Sequence, residues 1–188
     1  QVYGFDGKEV YFQAAKNSSV ERQIYAVNLK GEMRTLINKV GVNNARFSSN
    51  FKYLININST VDQPYQYVLF DNKGKQVRVL EDNHEFAERM KEYNLAKKEL
   101  VTITDPAFVL PDGTQLEMET WRILPPDFDP NKKYPVLIYV YGGPGHQTVM
   151  NSWNHSDYDW MQILAQNGII CVSINNRGGG ARGQEFKK

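Results

Sequence analysis

One stretch decides the fold: residues 134–145 read Tyr-Pro-Val-Leu-Ile-Tyr-Val-Tyr-Gly-Gly-Pro-Gly. The apolar run does not alternate with polar residues, which predicts a strand buried on both faces, as in a parallel sheet. The glycines that follow let the backbone approach a ligand closely. A simple glycine and proline turn that closes the strand is the alternative interpretation of the same residues.

A helix, a second strand and a second glycine-rich loop follow. Residues 157–167 have the spacing of an amphipathic helix, and Gly168 is a residue type that commonly ends helices. The apolar run 169–174 then leads into residues 175–183, Asn-Asn-Arg-Gly-Gly-Gly-Ala-Arg-Gly. This order of strand, loop, helix, strand and loop predicts a βαβ unit of a parallel sheet. One face of the predicted helix carries Trp160, Ile163 and Leu164.

Together these motifs resemble the prolyl oligopeptidase family of serine peptidases, and within it the dipeptidyl peptidase IV branch. The resemblance rests on residues 134–145 and on residues 164–180, Leu-Ala-Gln-Asn-Gly-Ile-Ile-Cys-Val-Ser-Ile-Asn-Asn-Arg-Gly-Gly-Gly. It covers most of residues 65–188. The further matching segments are residues 78–83, 97–100 and 123–129.

The resemblance implies a mixed fold, with terminal all-β propeller blades followed by the N-terminal part of an α/β-hydrolase domain. It implies a serine exopeptidase that releases N-terminal dipeptides with penultimate proline or alanine through an acyl-enzyme. Peptides with a free amino terminus would be the substrates, without a cofactor. A homodimeric parent protein and a periplasmic or extracellular location are also implied. Another branch of the family, such as an acylaminoacyl peptidase, stays open.

The resemblance implies that the hydroxyl of Tyr141 helps to stabilise the oxyanion. No other residue of this chain matches a catalytic residue of the family. The family's nucleophilic serine lies in a Gly-x-Ser-x-Gly elbow that is followed by Asp and His, and residues 1–188 contain no such elbow. His84, His146 and His155 all precede its expected place. We therefore expect nucleophile, acid and base to be absent from this chain. His146 could line the pocket, but a polar loop histidine near solvent is the simpler interpretation.

Residues 1–83 carry a weak internal repeat with a period of about 42 or 43 residues, which fits the blades of a β-propeller. In each copy a strand ends at a Lys-Gly turn, Lys30-Gly31 or Lys73-Gly74, and a second strand returns as in a β-hairpin. A generic antiparallel meander is the alternative. A propeller has typically about 4–8 blades, so two copies form only part of one. Members of the family that the motifs resemble carry a propeller ahead of the hydrolase domain, so the resemblance implies that residues 1–83 are the last blades of such a domain.

Residues 84–188 are assigned to the N-terminal half of an α/β-hydrolase domain, truncated before the nucleophile elbow. Asn83 can cap a helix in which Phe86, Met90 and Tyr93 recur at the spacing of a buried stripe. The domain boundary is placed at this helix. An antiparallel hairpin is predicted after it, with strands at residues 100–104, 108–110 and 116–123 around the turn 111–113.

Composition excludes several function classes. The chain of 188 residues carries 22 basic and 21 acidic residues, and this balance leaves no electrostatic field for binding nucleic acid. The single cysteine, Cys171, excludes an internal disulfide, and its apolar strand predicts an inert thiol. No apolar run approaches the roughly 20 residues that a membrane-spanning helix needs.

The other polar clusters have simpler structural explanations. Asp157 and Asp159 near His155 match no metal-ligand spacing, and Ser156 or Asp157 fits a helix cap. The second glycine-rich loop lacks the Gly-Lys-Ser or Gly-Lys-Thr of a phosphate-binding loop. No metal or cofactor site is therefore predicted. A non-catalytic interaction module of the propeller type is the functional alternative from a different class.

Overall fold

The computed structural model describes residues 1–109, 113–153 and 157–187, apart from the side chains of Phe108, Glu185 and Lys187. Over this part of the chain it consists mainly of β-sheet, with three four-stranded sheets and three short helices. This predominance of β-sheet is consistent with the propeller blades of the predicted mixed fold. The chain divides into two compact units, Gln1–Arg89 with Met150–Trp153, and Met90–Val149 with Asn154–Lys188.

The first unit contains two antiparallel meanders of four strands each. In both sheets the strands pair in the order of the sequence, from β1 to β4 and from β5 to β8. Four-stranded meanders of this kind are consistent with propeller blades. The strands are β1 (Val2–Phe5), β2 (Glu9–Ala14), β3 (Gln23–Asn28), β4 (Met33–Ile37), β5 (Val42–Phe47), β6 (Tyr53–Ser59), β7 (Gln66–Asp71) and β8 (Gln76–Glu81).

Two equivalent turns give the internal repeat a structural basis. The side-chain oxygen of Asn28 accepts hydrogen bonds from the backbone N–H groups two and four residues later, and the carboxylate of Asp71 does the same. Gly31 and Gly74 both have a φ of 84°, a conformation that glycine adopts without the steric cost of a Cβ. The two predicted Lys-Gly hairpins are therefore confirmed.

One apolar cluster is shared by the two sheets of this unit. At its centre Tyr11 is fully buried, with its ring stacked on Phe51 at 5.4 Å and tilted against Phe47 at 4.9 Å between centroids. Because a single core holds both sheets, we expect them to unfold together. The other buried members are Ile24, Ala26, Leu36, Ile37, Ala45, Leu54, Val68 and Phe70.

A charged group links the same two sheets. The guanidinium of Arg34 donates two hydrogen bonds to the carboxylate of Glu9, at 2.8 and 2.7 Å, and a third to the carbonyl oxygen of Asn72 at 2.8 Å. The hydrogen bonds from Arg34 lower the pKa of Glu9. Since Arg34 and Glu9 lie in the first sheet and Asn72 follows β7 of the second, one side chain holds both.

The helix predicted after Asn83 is shorter and more exposed than the spacing of its apolar residues indicated. Helix α1 spans His84–Met90 and has no buried residue. Tyr93 lies beyond its end, and Phe86 is 44% exposed, so the predicted buried stripe is wrong. The predicted cap is also wrong, because the carboxylate of Asp82 accepts the hydrogen bond of the first helical N–H and the amide of Asn83 donates elsewhere.

The second unit contains one mixed sheet, with the strand order β11, β12, β10, β9. Strands β9 and β10 form the predicted antiparallel hairpin, and residues 110–112 of its turn lie outside the described residues. Strand β12 is antiparallel to β10 and parallel to β11, so the predicted βαβ unit is present. The predicted burial of its first strand on both faces is wrong for this structure, because β11 lies at the edge of the sheet and has no buried residue. The elements are β9 (Lys98–Val109), β10 (Gln115–Ile123), β11 (Val136–Tyr139), α2 (Tyr158–Gln166), β12 (Ile170–Ile174) and α3 (Gln184–Lys187).

Helix α2 does not bury the face that carries its largest apolar residues. Trp160 and Ile163, on the face noted from the sequence, are 52% and 60% exposed. Apolar spacing identifies an amphipathic helix, yet it does not anticipate a polar residue on the packed side. The buried residues of the helix are Tyr158, Met161, Gln162 and Ala165.

Two glutamines of α2 explain this orientation. The side-chain amide of Gln162 accepts a hydrogen bond from the N–H of Ala96 and donates one to its carbonyl oxygen, both at 2.9 Å. One helical turn later, Gln166 donates to the carbonyl oxygen of Asn94. The buried amide of Gln162 is hydrogen-bonded at both its oxygen and its nitrogen, which lowers its desolvation penalty. Gln162 and Gln166, which we call the glutamine clamp, both bond to the connector 94–96.

A lysine and a cysteine are buried in the sheet of this unit. Burial raises the pKa of the Cys171 thiol, as expected for inert packing. Lys98 is only 6% exposed, and its ammonium lies 5.5 Å from the centroid of the Trp121 ring. Desolvation lowers the pKa of Lys98 from 10.5 to about 8. The buried ammonium therefore costs stability that its contact with the ring offsets only in part.

We expect Lys98→Met to raise the free energy of unfolding at pH 7 by about 1–3 kcal/mol, because it removes a buried charge and keeps a flexible side chain of similar length. With lysine present, the unfolded state binds the proton more tightly than the folded state. Stability should therefore rise between about pH 8 and pH 10.5, and this rise should shrink in the variant.

Urea denaturation at several pH values measures both effects. Lys97→Met, at the exposed neighbouring position, is the matched control and should change neither. If Lys98→Met were less stable than the parent at pH 7, the contact with Trp121 would outweigh desolvation.

Candidate active site

Both glycine-rich loops lie at the same edge of the sheet in the second unit. Strands β11 and β12 are parallel, so their carboxyl ends meet there, and in open α/β sheets this edge commonly forms the ligand crevice. Tyr141 follows β11, and residues 175–180 follow β12. The topology thus brings the two sequence motifs together.

Backbone hydrogen bonds join the two loops. The N–H of Gly145 donates to the carbonyl oxygen of Gly178 at 2.8 Å, and the N–H of Gly180 donates to that of His146 at 3.4 Å. A Cβ on Gly180 would lie 2.8 Å from the carbonyl oxygen of Gly145. Glycine is therefore needed at position 180 for the close approach of the two backbones.

Asn175 fixes the segment that follows the first loop. Its side-chain oxygen accepts hydrogen bonds from the N–H groups of Thr148 and Val149, at 3.2 and 3.0 Å, and its amide donates to the carbonyl oxygen of Val149 at 2.9 Å. The Thr148 hydroxyl is 2.7 Å from that of Ser173, and the indole N–H of Trp121 donates to the Thr148 carbonyl at 3.1 Å. Hydrogen bonds thus connect this segment to two strands, β12 with its end at Asn175 and β10.

A further tie connects the second loop to β10. The guanidinium of Arg182 donates to the carbonyl oxygen of Glu117 and to the carboxylate of Glu119, the latter at 3.2 Å. Its other side faces the ring of Phe186, 4.2 Å from the centroid. The second loop is therefore held at both ends, by Asn175 near its start and by Arg182 near its finish.

Tyr141 projects from this fixed frame and is 62% exposed. Its ring packs against the imidazole of His146, with 4.0 Å between centroids and 33° between the planes. The ring also lies over Gly143, where a Cβ would be 2.5 Å from a ring carbon. The phenol is thus accessible to a ligand and is contacted by the loop that carries it.

The other residues considered from the sequence do not join this site. His84 begins α1 in the first unit, and His155 and Ser156 lie outside the described residues. Asp157 is at the N-cap position of α2 without a side-chain cap hydrogen bond. Burial, and then the charge of Asp157, raise the pKa of Tyr139. Within residues 1–109, 113–153 and 157–187, no three His, Cys, Asp or Glu side chains are grouped to hold a metal ion.

Asn175, Thr148 and Arg182 belong to the site, and the sequence motifs do not reveal them. An asparagine directly after a buried strand was the one available signal, since such residues often satisfy nearby backbone groups. In the part of the chain that the structure describes, no helix has both the length and the apolar character needed to cross a bilayer.

Comparison with known proteins identifies relatives along nearly the whole chain. Residues 1–65 match the family model described as the dipeptidyl peptidase IV (DPP IV) N-terminal region. The chain is 37% identical over 185 residues to "Probable dipeptidyl-aminopeptidase B" of Sclerotinia sclerotiorum, which covers 95% of the chain and 19% of the relative. It is 33% identical over 186 residues to "Dipeptidyl peptidase 4" of Trichophyton rubrum, with coverages of 96% and 23%.

A solved structure shares the fold. The chain matches the crystal structure of Porphyromonas gingivalis dipeptidyl peptidase 4 with a TM-score of 0.87 and 37% identity, over 100% of this chain and 26% of that one. The chain therefore spans between 19% and 26% of the length of these relatives. The resemblance inferred from the sequence motifs is confirmed.

We expect Asn175→Ala to lower the free energy of unfolding by about 2–3 kcal/mol, because two backbone N–H groups and one carbonyl lose a buried partner. Asn176→Ala is the matched control: the same substitution at an exposed neighbouring position should cost about 0.5 kcal/mol or less. Chemical denaturation of both variants measures the difference. Equal losses at the two positions would contradict the role assigned to Asn175.

Proposed function

The chain is dipeptidyl peptidase IV-like along its length, and from this premise we propose that it forms part of a serine-type dipeptidyl peptidase in which Tyr141 helps to stabilise the oxyanion. One observation carries the proposal: Tyr141 follows a parallel strand at the carboxyl edge of the sheet, with the second glycine-rich loop bonded beside it. The substrates would be peptides with a free amino terminus, cleaved after a penultimate proline or alanine.

The proposed role of Tyr141 is electrostatic. A serine from another part of the peptidase would attack the scissile carbonyl carbon, and negative charge would develop on the carbonyl oxygen. A phenol O–H placed beside that oxygen donates its strongest hydrogen bond when the charge is greatest, in the transition state. A donor carried by a loop with a fixed backbone loses little free energy to reorganisation when it acts.

We also propose that the two units are the last blades of a β-propeller and the first half of an α/β-hydrolase domain. This proposal is supported by an exposed apolar face, which β11 forms together with Val140, the residue that follows it. Val136, Ile138 and Val140 are 54%, 57% and 64% exposed, although parallel strands are normally covered on both faces. This apolar face is where further helices of a hydrolase domain would pack.

Residues 1–188 by themselves are expected to have no peptidase activity. The chain contains no Gly-x-Ser-x-Gly elbow, and an oxyanion donor without a nucleophile has no acyl intermediate to stabilise. The measurement is hydrolysis of Gly-Pro and Ala-Pro chromogenic substrates, with a mock purification to control for host peptidases. Turnover that copurifies with the chain and is blocked by a serine-directed inhibitor would contradict this expectation.

In the complete peptidase, Tyr141→Phe should lower kcat by about 10²–10³-fold with a much smaller change in KM, because the lost hydrogen bond acts mainly in the transition state. The melting temperature should hardly change, since the side chain is 62% exposed. Tyr93→Phe is the matched control, because Tyr93 is in the same unit and is also 62% exposed. A kcat for Tyr141→Phe within about threefold of the parent would refute the role of the hydroxyl.

A further inference from the structure

The stack between Tyr141 and His146 joins an exposed side chain to a fixed stretch of backbone. The carbonyl oxygen of His146 accepts a hydrogen bond from Gly180, and the preceding residue, Gly145, donates to Gly178. Two residues later, the N–H of Thr148 donates to the side chain of Asn175. The backbone that carries the imidazole is therefore held on both sides.

The backbone around Tyr141 does little to fix the orientation of its side chain. It lies beyond β11, which ends at Tyr139, and is followed by Gly142 with a φ of 72°. An exposed tyrosine at a strand end has several staggered rotamers open to it. The ring contact with His146, at 4.0 Å between centroids, favours one of them, because aromatic rings at such distances attract each other.

The turn itself is shaped to permit this contact. The Tyr141 ring lies back across Gly143, and a Cβ at that position would be 2.5 Å from the ring. The glycine thus leaves room for the phenol to reach an imidazole five residues further along the chain. Without the imidazole, the same space would leave the ring free to turn towards solvent.

We propose that His146 is a positioning residue for Tyr141, whose imidazole holds the phenol in the rotamer that presents its hydroxyl to the oxyanion. This inference rests on the proposed function of Tyr141. The aromatic ring of His146 performs the task, so another ring can replace it and a non-aromatic side chain cannot. Because the stack sets the fraction of enzyme with a correctly placed donor, its loss lowers kcat and leaves KM nearly unchanged.

The test compares His146→Ala and His146→Phe in the complete peptidase. We expect Ala to lower kcat by about three- to tenfold, the range that one aromatic contact corresponds to, and Phe to restore most of the loss. His84→Ala, the same substitution at the start of α1 in the other unit, should leave kcat unchanged. If His146→Ala fails to fold, His146→Gln removes the ring and keeps a polar side chain of similar size.

A double-mutant cycle with Tyr141→Phe separates this inference from the proposed function. If His146 acts through the Tyr141 hydroxyl, His146→Ala should change kcat by less than about twofold in the Tyr141→Phe background. A loss of the same size in both backgrounds would overturn the inference. So would a large effect of Tyr141→Phe together with a silent His146→Ala, or a His146→Phe variant as impaired as Ala. A silent Tyr141→Phe would instead overturn the proposed function, and the inference with it.

A spectroscopic measurement checks the contact without relying on activity. The imidazole protons of His146 should show a ring-current shift from Tyr141 in the NMR spectrum of the chain, and Tyr141→Leu should abolish it. Tyr141→Phe should preserve the shift, because the ring remains. Identical His146 shifts in the parent and in Tyr141→Leu would show that the stack does not form in solution and would overturn the inference.

Discussion

The candidate active site depends on the side-chain amide of Asn175. Parallel strands joined by a crossover end at the same edge of a sheet, but this topology does not fix the loops that follow them. Irregular backbone needs partners for its N–H and carbonyl groups when it is buried. Asn175 satisfies three such groups on Thr148 and Val149. It thereby fixes the segment directly after Gly145 and His146, the residues that bond to the second glycine-rich loop.

The elements that could be predicted from the sequence are those whose signal is local. The two Lys-Gly hairpins were predictable because Gly31 and Gly74 must adopt a positive φ and an Asn or Asp three residues earlier satisfies the turn. The unit of β11, α2 and β12 was predictable because unalternating apolar runs flank a helical pattern. In each case the residues that determine the structure are close together in the chain.

The features that could not be predicted depend on partners that are distant in the sequence. Gln162 points inwards because its side-chain amide hydrogen-bonds the backbone N–H and carbonyl of Ala96, in the connector before β9. The apolar pattern of α2 does not predict this contact. Asp82 and Asn83 are both good helix caps by residue type. Asp82 accepts the first helical N–H, because the amide of Asn83 donates instead to the carbonyl oxygen of Tyr65. Tyr141 was identified by family resemblance, whereas its contact with His146 follows from the path of the loop.

The glutamine clamp has a consequence for the dynamics of the connector 94–96, which has no regular secondary structure. The amide hydrogen of Ala96 is bonded to a side chain whose position is set by α2, so it can exchange with solvent deuterium only when the clamp opens. If the clamp opens only as the helix unfolds, the two segments share one opening free energy. In hydrogen exchange, a stretch that looks like a loop would then report the local stability of the helix.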